Sequence, residues 1–114
     1  MIKLGEMAKA MQLEMIHAEW EDSEVMGGYT SDLLSDVMAN AGQGQVFITI
    51  QAHKNAVAVA TLAGISAIVL ANDRPIPEDM IAAAKEAGVA IFRSPESQFV
   101  LSGKLYVLLR GGSL

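Results

Sequence analysis

Apolar residues follow two different spacings along this chain, and together the spacings predict alternating strands and helices. Short unbroken apolar runs rich in β-branched residues are typical of strands buried on both faces. Three such runs predict strands at residues 46–50, 66–71 and 89–92. Between and beside them, apolar residues recur every three or four positions, which is the spacing of one helix face. Strands that alternate with helices indicate parallel crossover connections.

Residues 45–63 form the unit around which the other elements are arranged. An apolar strand at 46–50 turns through the polar corner 51–55 into a helix predicted over 56–63. Glycines precede and follow this unit, which is the usual position of turns and helix ends. The pattern therefore predicts a buried strand that is followed directly by a buried helix.

The flanking segments predict four further helices and a short strand. A short amphipathic helix is expected at 3–11, a strand at 13–17 and a helix at 32–41, which a hydroxyl at residue 30 or 31 caps. The fourth helix starts with Pro77 at its first helical position and is stopped by Gly88. Ser94 is expected to cap the last helix. That helix should turn four leucines toward the core: Leu101, Leu105, Leu108 and Leu109.

These elements predict an α/β fold. We expect one domain over residues 1–114, built around a small, mainly parallel sheet with helices on both faces. A chain of this length can bury about two thirds of its unfolded surface without metals or disulfides.

Charge and composition narrow the classes of function. The net charge is -5, and residues 1–45 carry eight acids against Lys3 and Lys9. No cluster of Lys or Arg could neutralise phosphates, so nucleic acid is not an expected partner. The acidic patch at 19–24 lacks the alternating Asp and Gly of a calcium loop, which favours a solvated turn over a cation site.

The absence of cysteine excludes disulfides, thiolate catalysis and cysteine zinc sites. With only His17 and His53 available, we predict no metal site and no cofactor. No segment resembles a signal peptide or a membrane span, and a cytoplasmic protein is expected.

Polar residues gather where the predicted strands end. In open parallel sheets, ligands bind beyond the carboxyl ends of the strands, because helix amino termini and loops meet there. The predicted ligand-binding residues at this edge are Gln51, His53, Asn55, Asn72, Asp73, Arg74 and Ser94.

Two further candidates, Ser31 and Asp32, stand at a predicted helix start, where they could either bind a ligand or cap the helix, and capping is favoured. For His53, capping or hydrogen bonding is favoured over a role as catalytic base. Between ligand site and helix cap, the sequence favours the site for His53 and the cap for Asn55.

Familiar catalytic motifs are missing. The chain has no Gly-rich phosphate loop ending in Gly-Lys-Ser or Gly-Lys-Thr, no Gly-x-Gly-x-x-Gly after a strand, and no serine nucleophile elbow. We therefore predict no catalytic residues.

The segments at 27–41 and 46–60 resemble stand-alone DRTGG-domain proteins, which are related to the amino-terminal region of HPr kinase. The strand, loop and helix order at 67–91 extends the resemblance over nearly the whole chain. The residues that name the family are largely replaced, since Gln51, Ala52 and His53 stand where a Gly-Asp-Arg element is usual. The kinase phosphate loop belongs to a separate domain that has no counterpart here. Related domains accompany CBS domains in regulatory pyrophosphatases, which implies a regulatory role.

Three functions follow as expectations. The leading one is a non-catalytic regulatory module, a homodimer, that binds a small ligand, such as a nucleotide or phosphorylated metabolite, or a partner protein. The second is a small enzyme acting on a phosphorylated metabolite, with His53 as base and Asp73 and Arg74 orienting the substrate. The third is a structural dimerisation subunit, suggested by seven methionines and the apolar helix at 56–63.

Overall fold

The computed structural model describes residues 1–114 and contains five helices and five strands. The strands are β1 (Glu14–Met15), β2 (Gly27–Thr30), β3 (Gln45–Thr49), β4 (Ala67–Leu70) and β5 (Ala90–Arg93). The helices are α1 (Leu4–Ala10), α2 (Leu34–Asn40), α3 (Lys54–Ala63), α4 (Glu78–Ala87) and α5 (Gln98–Leu109).

The strands form one sheet in the order β1-β5-β4-β3-β2. Neighbours from β2 to β5 are parallel, and only β1 runs antiparallel, against β5. This confirms the predicted α/β fold with a mainly parallel sheet. The sequence did not predict β2, because two of its four residues are glycines and glycine is depleted in strands.

Each face of the sheet carries its own apolar core, so the molecule has three layers. On one face, α1 and α5 cover the sheet with buried side chains such as Leu4, Met7 and Leu101. The other face is covered by the three connecting helices, α2, α3 and α4, through residues such as Val37, Val57 and Met80. Helices on both faces were predicted, and both are present.

Gly28 allows α5 to lie close against β2. A Cβ added at this glycine would stand 2.7 Å from Cδ2 of the buried Leu105. The absence of a side chain at this position of β2 therefore fixes how closely α5 approaches the sheet.

Residues 17–20 pack against β5 and the residue that precedes it. His17 is buried, with Nε2 2.8 Å from the carbonyl oxygen of Val89, and its Nδ1 accepts the N–H of Glu19 at 3.0 Å. Trp20 packs edge-on against Phe92, with ring centroids 5.5 Å apart. Both polar nitrogens of His17 thus serve the fold.

Several predicted helix ends were wrong. α2 begins at Leu34, two residues later than expected, and residue 33 at its amino end supplies no side-chain cap. α5 begins at Gln98, and Ser97 rather than Ser94 caps it through a bond from the Val100 N–H at 3.3 Å. Pro77 precedes α4 instead of starting it.

Some residues assigned to the core are exposed instead. Leu109 on α5 is more than a third exposed. So are Leu33 and Met38, which the helical spacing of residues 32–41 predicts on the apolar face of that helix. The core face of α5 is consequently narrower than predicted, since Leu101 and Leu105 alone are fully buried on it.

None of the five helices combines the length and the apolar character that crossing a membrane requires.

Candidate functional site

The Asp32 carboxylate is the best-held polar group at the carboxyl edge of the sheet. Its Oδ1 accepts hydrogen bonds from the Thr49 hydroxyl and the Ile50 N–H, both at 3.0 Å. Its Oδ2 accepts the side-chain amide of Gln98 at 3.0 Å. Asp32 therefore joins the ends of β2 and β3 to the start of α5 instead of capping α2, as the sequence had favoured.

Asp32 is held in its ionised form. Partial burial is the largest single influence and raises its pKa, but hydrogen bonds from Ile50, Gln98 and Thr49 and the charge of Arg74 lower it. The net effect is a pKa below the ordinary value of an aspartate. The charge of Arg74 is the weakest of these influences, and no ion pair joins the two side chains.

Gln51 and Thr49 complete the network around Asp32. The side-chain amide of Gln51 donates to the backbone oxygen of Asp32 at 2.7 Å. The backbone N–H of Gln51 donates to the Thr49 hydroxyl at 3.1 Å. Thr49 is fully buried and was not predicted as a site residue, although a hydroxyl inside an otherwise apolar strand was a usable signal. Gln98 was not predicted as a site residue either, and nothing about its position in the sequence indicated a contact with Asp32.

Ser31 lies beside Asp32 but belongs to a second cluster. Its hydroxyl accepts the Leu33 N–H at 3.2 Å. Hydrogen bonds from Ser31, first, and from Tyr29 lower the pKa of Asp36, and the Tyr29 hydroxyl lies 2.9 Å from Asp36 Oδ2. Ser31 thus stabilises the turn into α2, in line with the favoured structural interpretation.

The loop after β4 has an unusual backbone. Asn72 and Asp73 take φ values of 60° and 54°, so two consecutive residues with side chains adopt the left-handed conformation. Their N–H groups donate to the carbonyl oxygens of Glu96 and Ser94, at 3.0 and 2.9 Å. The loop is therefore fixed to the segment that follows β5, and both side chains are left exposed to solvent.

Ser94 takes part in this arrangement through its backbone and through its hydroxyl. It is buried, and its hydroxyl accepts the Glu96 N–H at 3.1 Å. This position makes Ser94 a support for the loop, and it removes Ser94 from the surface that a ligand can reach.

Arg93 anchors the same loop from the side. Its Nε donates to Glu14 Oε1 at 2.9 Å, and its Nη1 donates to the backbone oxygen of Arg74 at 3.2 Å. Hydrogen bonding to Glu14, chiefly, raises the pKa of Arg93. The backbone of Arg74 is thereby held, while its own guanidinium is exposed and forms no hydrogen bond within the chain.

The cap of α3 lies at His53, where the sequence favoured a ligand site, and not at Asn55, where it favoured the cap. His53 caps α3, because its Nδ1 accepts the Asn55 N–H at 3.0 Å. Asn55 lies inside the first turn, so the predicted cap at Asn55 is wrong. Both side chains are exposed at the amino end of α3.

The largest hollow of the molecule lies away from the Asp32 network. It measures about 640 Å³ and lies between α3 and α4, with Lys54, Asn55, Leu62 and Glu86 among its lining residues. Of the nine predicted site residues, only Asn55 borders it. The predicted residues thus divide into a network at the sheet edge and a helix start beside a shallow groove.

The edge can supply hydrogen bonds and opposite charges to a polar molecule. Asp32 offers a fixed anion, Arg74 a free cation, and Asn72 an exposed amide. No group of three or more His, Cys, Asp or Glu side chains is arranged to hold a metal ion.

The sheet order and the helices on both faces define a three-layer α/β domain. No protein-family model matches the chain, and no curated protein sequence matches it. Among solved structures, the chain is similar to the CBS and DRTGG domains of the regulatory region of a Clostridium perfringens pyrophosphatase, complexed with its activator diadenosine tetraphosphate. The match has a TM-score of 0.69 at 11% identity and covers 88% of this chain and 44% of that one. The likeness therefore shows a shared fold over less than half of the other protein's length.

Proposed function

We propose that the chain is a non-catalytic regulatory module that binds a small polar ligand at the carboxyl edge of its sheet. The observation that carries this proposal is that a fixed anion and a free cation lie at the same edge of the sheet. Asp32 is held by three hydrogen bonds, and the exposed Arg74 lies in the loop after β4, where its guanidinium forms no hydrogen bond within the chain. A ligand that brings its own anionic group can bond Arg74 without rearranging the fold.

The loop that contains Arg74 supports the same proposal. Left-handed backbone, as at Asn72 and Asp73, is uncommon in residues with side chains, and such conformations concentrate at binding sites. Here the Asn72 amide is exposed two residues before Arg74.

The similarity to the pyrophosphatase region favours regulation over catalysis. That region binds a nucleotide activator, so a nucleotide or another phosphorylated metabolite is the first ligand class to test. Phosphate groups suit Arg74, because a guanidinium recognises phosphate through paired hydrogen bonds.

The catalytic alternative has less support. His53 would have to act as the base, but its Nδ1 is engaged in capping α3. Ser94, a hydroxyl at the same edge, is buried and bonded to the backbone. We therefore assign the edge to binding, and we include a homodimer in the proposal.

The test is a thermal-shift screen of nucleotides and phosphorylated metabolites against the full chain. A specific ligand at 100 times its Kd should stabilise the fold by about 2.7 kcal/mol. Arg74→Ala should melt like the native protein and lose the shift. Lys85→Ala, which removes an exposed cation from the last turn of α4, should keep the shift.

Two results would count against the proposal. One is a complete absence of stabilisation across the panel. The other is a ligand whose shift survives Arg74→Ala but disappears when Asn55 is replaced, because that result would move the site to the groove between α3 and α4.

A further inference from the structure

Helix α5 is apolar on its solvent side as well as on its sheet side. Leu101 and Leu105 are buried against the sheet, yet Phe99 is 88% exposed and Tyr106 is 62% exposed on the opposite side. Lys104 is the only charged residue among the twelve of this helix. Helices that are apolar all round are normally buried, so the outer face of α5 has the character of a covered surface.

Four of the five exposed apolar residues of α5 are arranged symmetrically about Gly103, and Leu109 is the fifth. Phe99 and Val100 precede it by four and three residues, and Tyr106 and Val107 follow it by three and four. This alternation of three and four residues is the spacing of a seam between two helices. Reversing the direction of the helix about Gly103 reproduces the pattern, as an antiparallel pairing of two identical helices requires.

Gly103 itself leaves room for close approach. A Cβ added at this position would meet nothing within 4 Å. The backbone of a second helix can therefore cross α5 at Gly103 with the apolar side chains on either side.

The charges at the two ends of the seam are complementary. Arg110 lies seven residues after Gly103, and Glu96 lies seven before it. Glu96 pairs with Lys104 at 2.9 Å, and the carboxylate of Asp32, bonded to Gln98, adds a negative charge at that end. Antiparallel pairing brings Arg110 of one copy to the height of Glu96 of the other.

A hollow beside the seam can receive a side chain from the second copy. It measures about 200 Å³ and is lined by residues of β2, β3 and α5, including Gly28, Ile48 and Tyr106. In the antiparallel arrangement, Phe99 of the second copy lies at the height of Val107, next to this hollow.

We propose that α5 is the dimer interface of this protein, with two copies crossing antiparallel at Gly103 and Phe99 of each copy filling the hollow beside Tyr106 of the other. A stable dimer buries about 800 Å² per partner, roughly one seventh of the 5962 Å² that the chain exposes. Helix α5 is about 18 Å long, and it lies beside β2, the strand at the edge of the sheet. The inference rests on the proposed homodimer and assigns its surface.

The test is sedimentation equilibrium of the full chain between about 1 and 100 µM, the range in which moderate dimers dissociate. The native protein should dimerise. Gly103→Glu, which places two like charges at the crossing, and Phe99→Ser should each raise the dimer Kd about tenfold or more. The matched control is Ala58→Glu, which puts the same charge on the exposed face of α3, and it should leave the Kd unchanged.

Circular dichroism melts of all variants show whether they fold, and the design separates two kinds of failure. A native protein that is monomeric at 100 µM would remove the homodimer altogether. A native dimer that survives Gly103→Glu and Phe99→Ser would overturn the α5 surface, and one broken by Ala58→Glu would place the contact at the groove between α3 and α4. Ligand binding is measured separately, in the thermal-shift screen, so its outcome does not depend on the α5 surface.

Discussion

The Thr49 hydroxyl donates a hydrogen bond of 3.0 Å to the Asp32 carboxylate across the ends of two neighbouring strands. The bond joins a fully buried residue of β3 to an exposed acid that follows β2. Asp32 is thereby fixed by the sheet itself, so its position is a property of the fold and does not wait for a ligand.

Replacing Thr49 with Val should raise the pKa of Asp32, because one of the hydrogen bonds to the ionised form is lost. The loss should cost about 1 to 2 kcal/mol near neutral pH, since the Gln51 N–H also loses its acceptor. Nuclear magnetic resonance titration of the carboxylates checks the pKa. Thr61→Val is the control, because its hydroxyl bonds only the Val57 carbonyl on an exposed helix face.

The pH dependence has a definite sign. The pKa of Asp32 is lower in the folded than in the unfolded chain, so its contribution to stability is present above about pH 4, the ordinary aspartate value. That contribution is lost as the pH falls through the folded pKa. Urea unfolding between pH 2 and 7 should show a smaller loss on acidification for Thr49→Val than for the native protein. An identical pH dependence would mean that Thr49 does not stabilise the ionised carboxylate.

His53→Ala should lower the free energy of unfolding by about 0.5 to 2 kcal/mol, as the loss of a helix cap does. His53→Asn should restore most of it, since an Asn side chain can accept the same N–H. Asn55→Ala should have little effect, because its side chain caps nothing. Chemical denaturation of the three variants decides between the residues, and the reverse order of effects would return the cap to Asn55.

Gly28→Ala and Gly103→Ala form a matched pair on facing elements. The first places a Cβ 2.7 Å from Leu105 Cδ2, and repacking this buried leucine should cost about 1 to 2 kcal/mol. The second adds a Cβ in open space within a helix and should stabilise the monomer by about 0.5 to 1 kcal/mol. Melting temperatures, measured at a protein concentration low enough to keep the chain monomeric, report the effects of both substitutions. Equal effects would show that α5 does not pack tightly on Gly28.

Asn72→Gly should show whether the Asn72 side chain contributes to ligand binding independently of its place in the fold. Glycine adopts the left-handed backbone without the steric cost of a side chain, so the variant should be as stable as the native protein or up to about 1 kcal/mol more stable. If the Asn72 amide contacts the ligand, binding should weaken in the same variant. A variant that is less stable yet binds normally would show that Asn72 serves the loop alone.

The sequence predicted the buried part of this fold better than its edges. The apolar strands β3, β4 and β5 and the helices between them were predicted because burial on both faces leaves an unmistakable pattern. The helix starts were less certain, since Asp32, Ser94 and Ser97 all have side chains that can cap. Only tertiary contacts decide which of these side chains caps a helix. The Asp32 carboxylate instead accepts a hydrogen bond from Thr49, and the buried Ser94 hydroxyl accepts the N–H of Glu96.

The candidate site was predicted as an edge and not as a set of contacts. Arg74 was expected there, whereas Asp32 was predicted at the start of a helix, and the sequence did not predict the path of the loop that Arg93 anchors. Gln98 reaches Asp32 from a helix 66 residues away in sequence, and nothing in its own surroundings predicted that bond.

The pairing of β1 with β5 has a consequence for how the protein is made. Glu14 of the first strand and Arg93 of the last are 79 residues apart, and β1 has no other neighbour in the sheet. During synthesis, the parallel strands can assemble in the order in which they leave the ribosome, whereas β1 waits until nearly the whole chain has emerged. The apolar face of α1, which contains Leu4, Met7 and Met11, is incompletely covered during that wait, because Phe92 and Leu101 belong to the same core. Chaperones that bind apolar segments therefore have longer access to α1 than to the helices between the parallel strands.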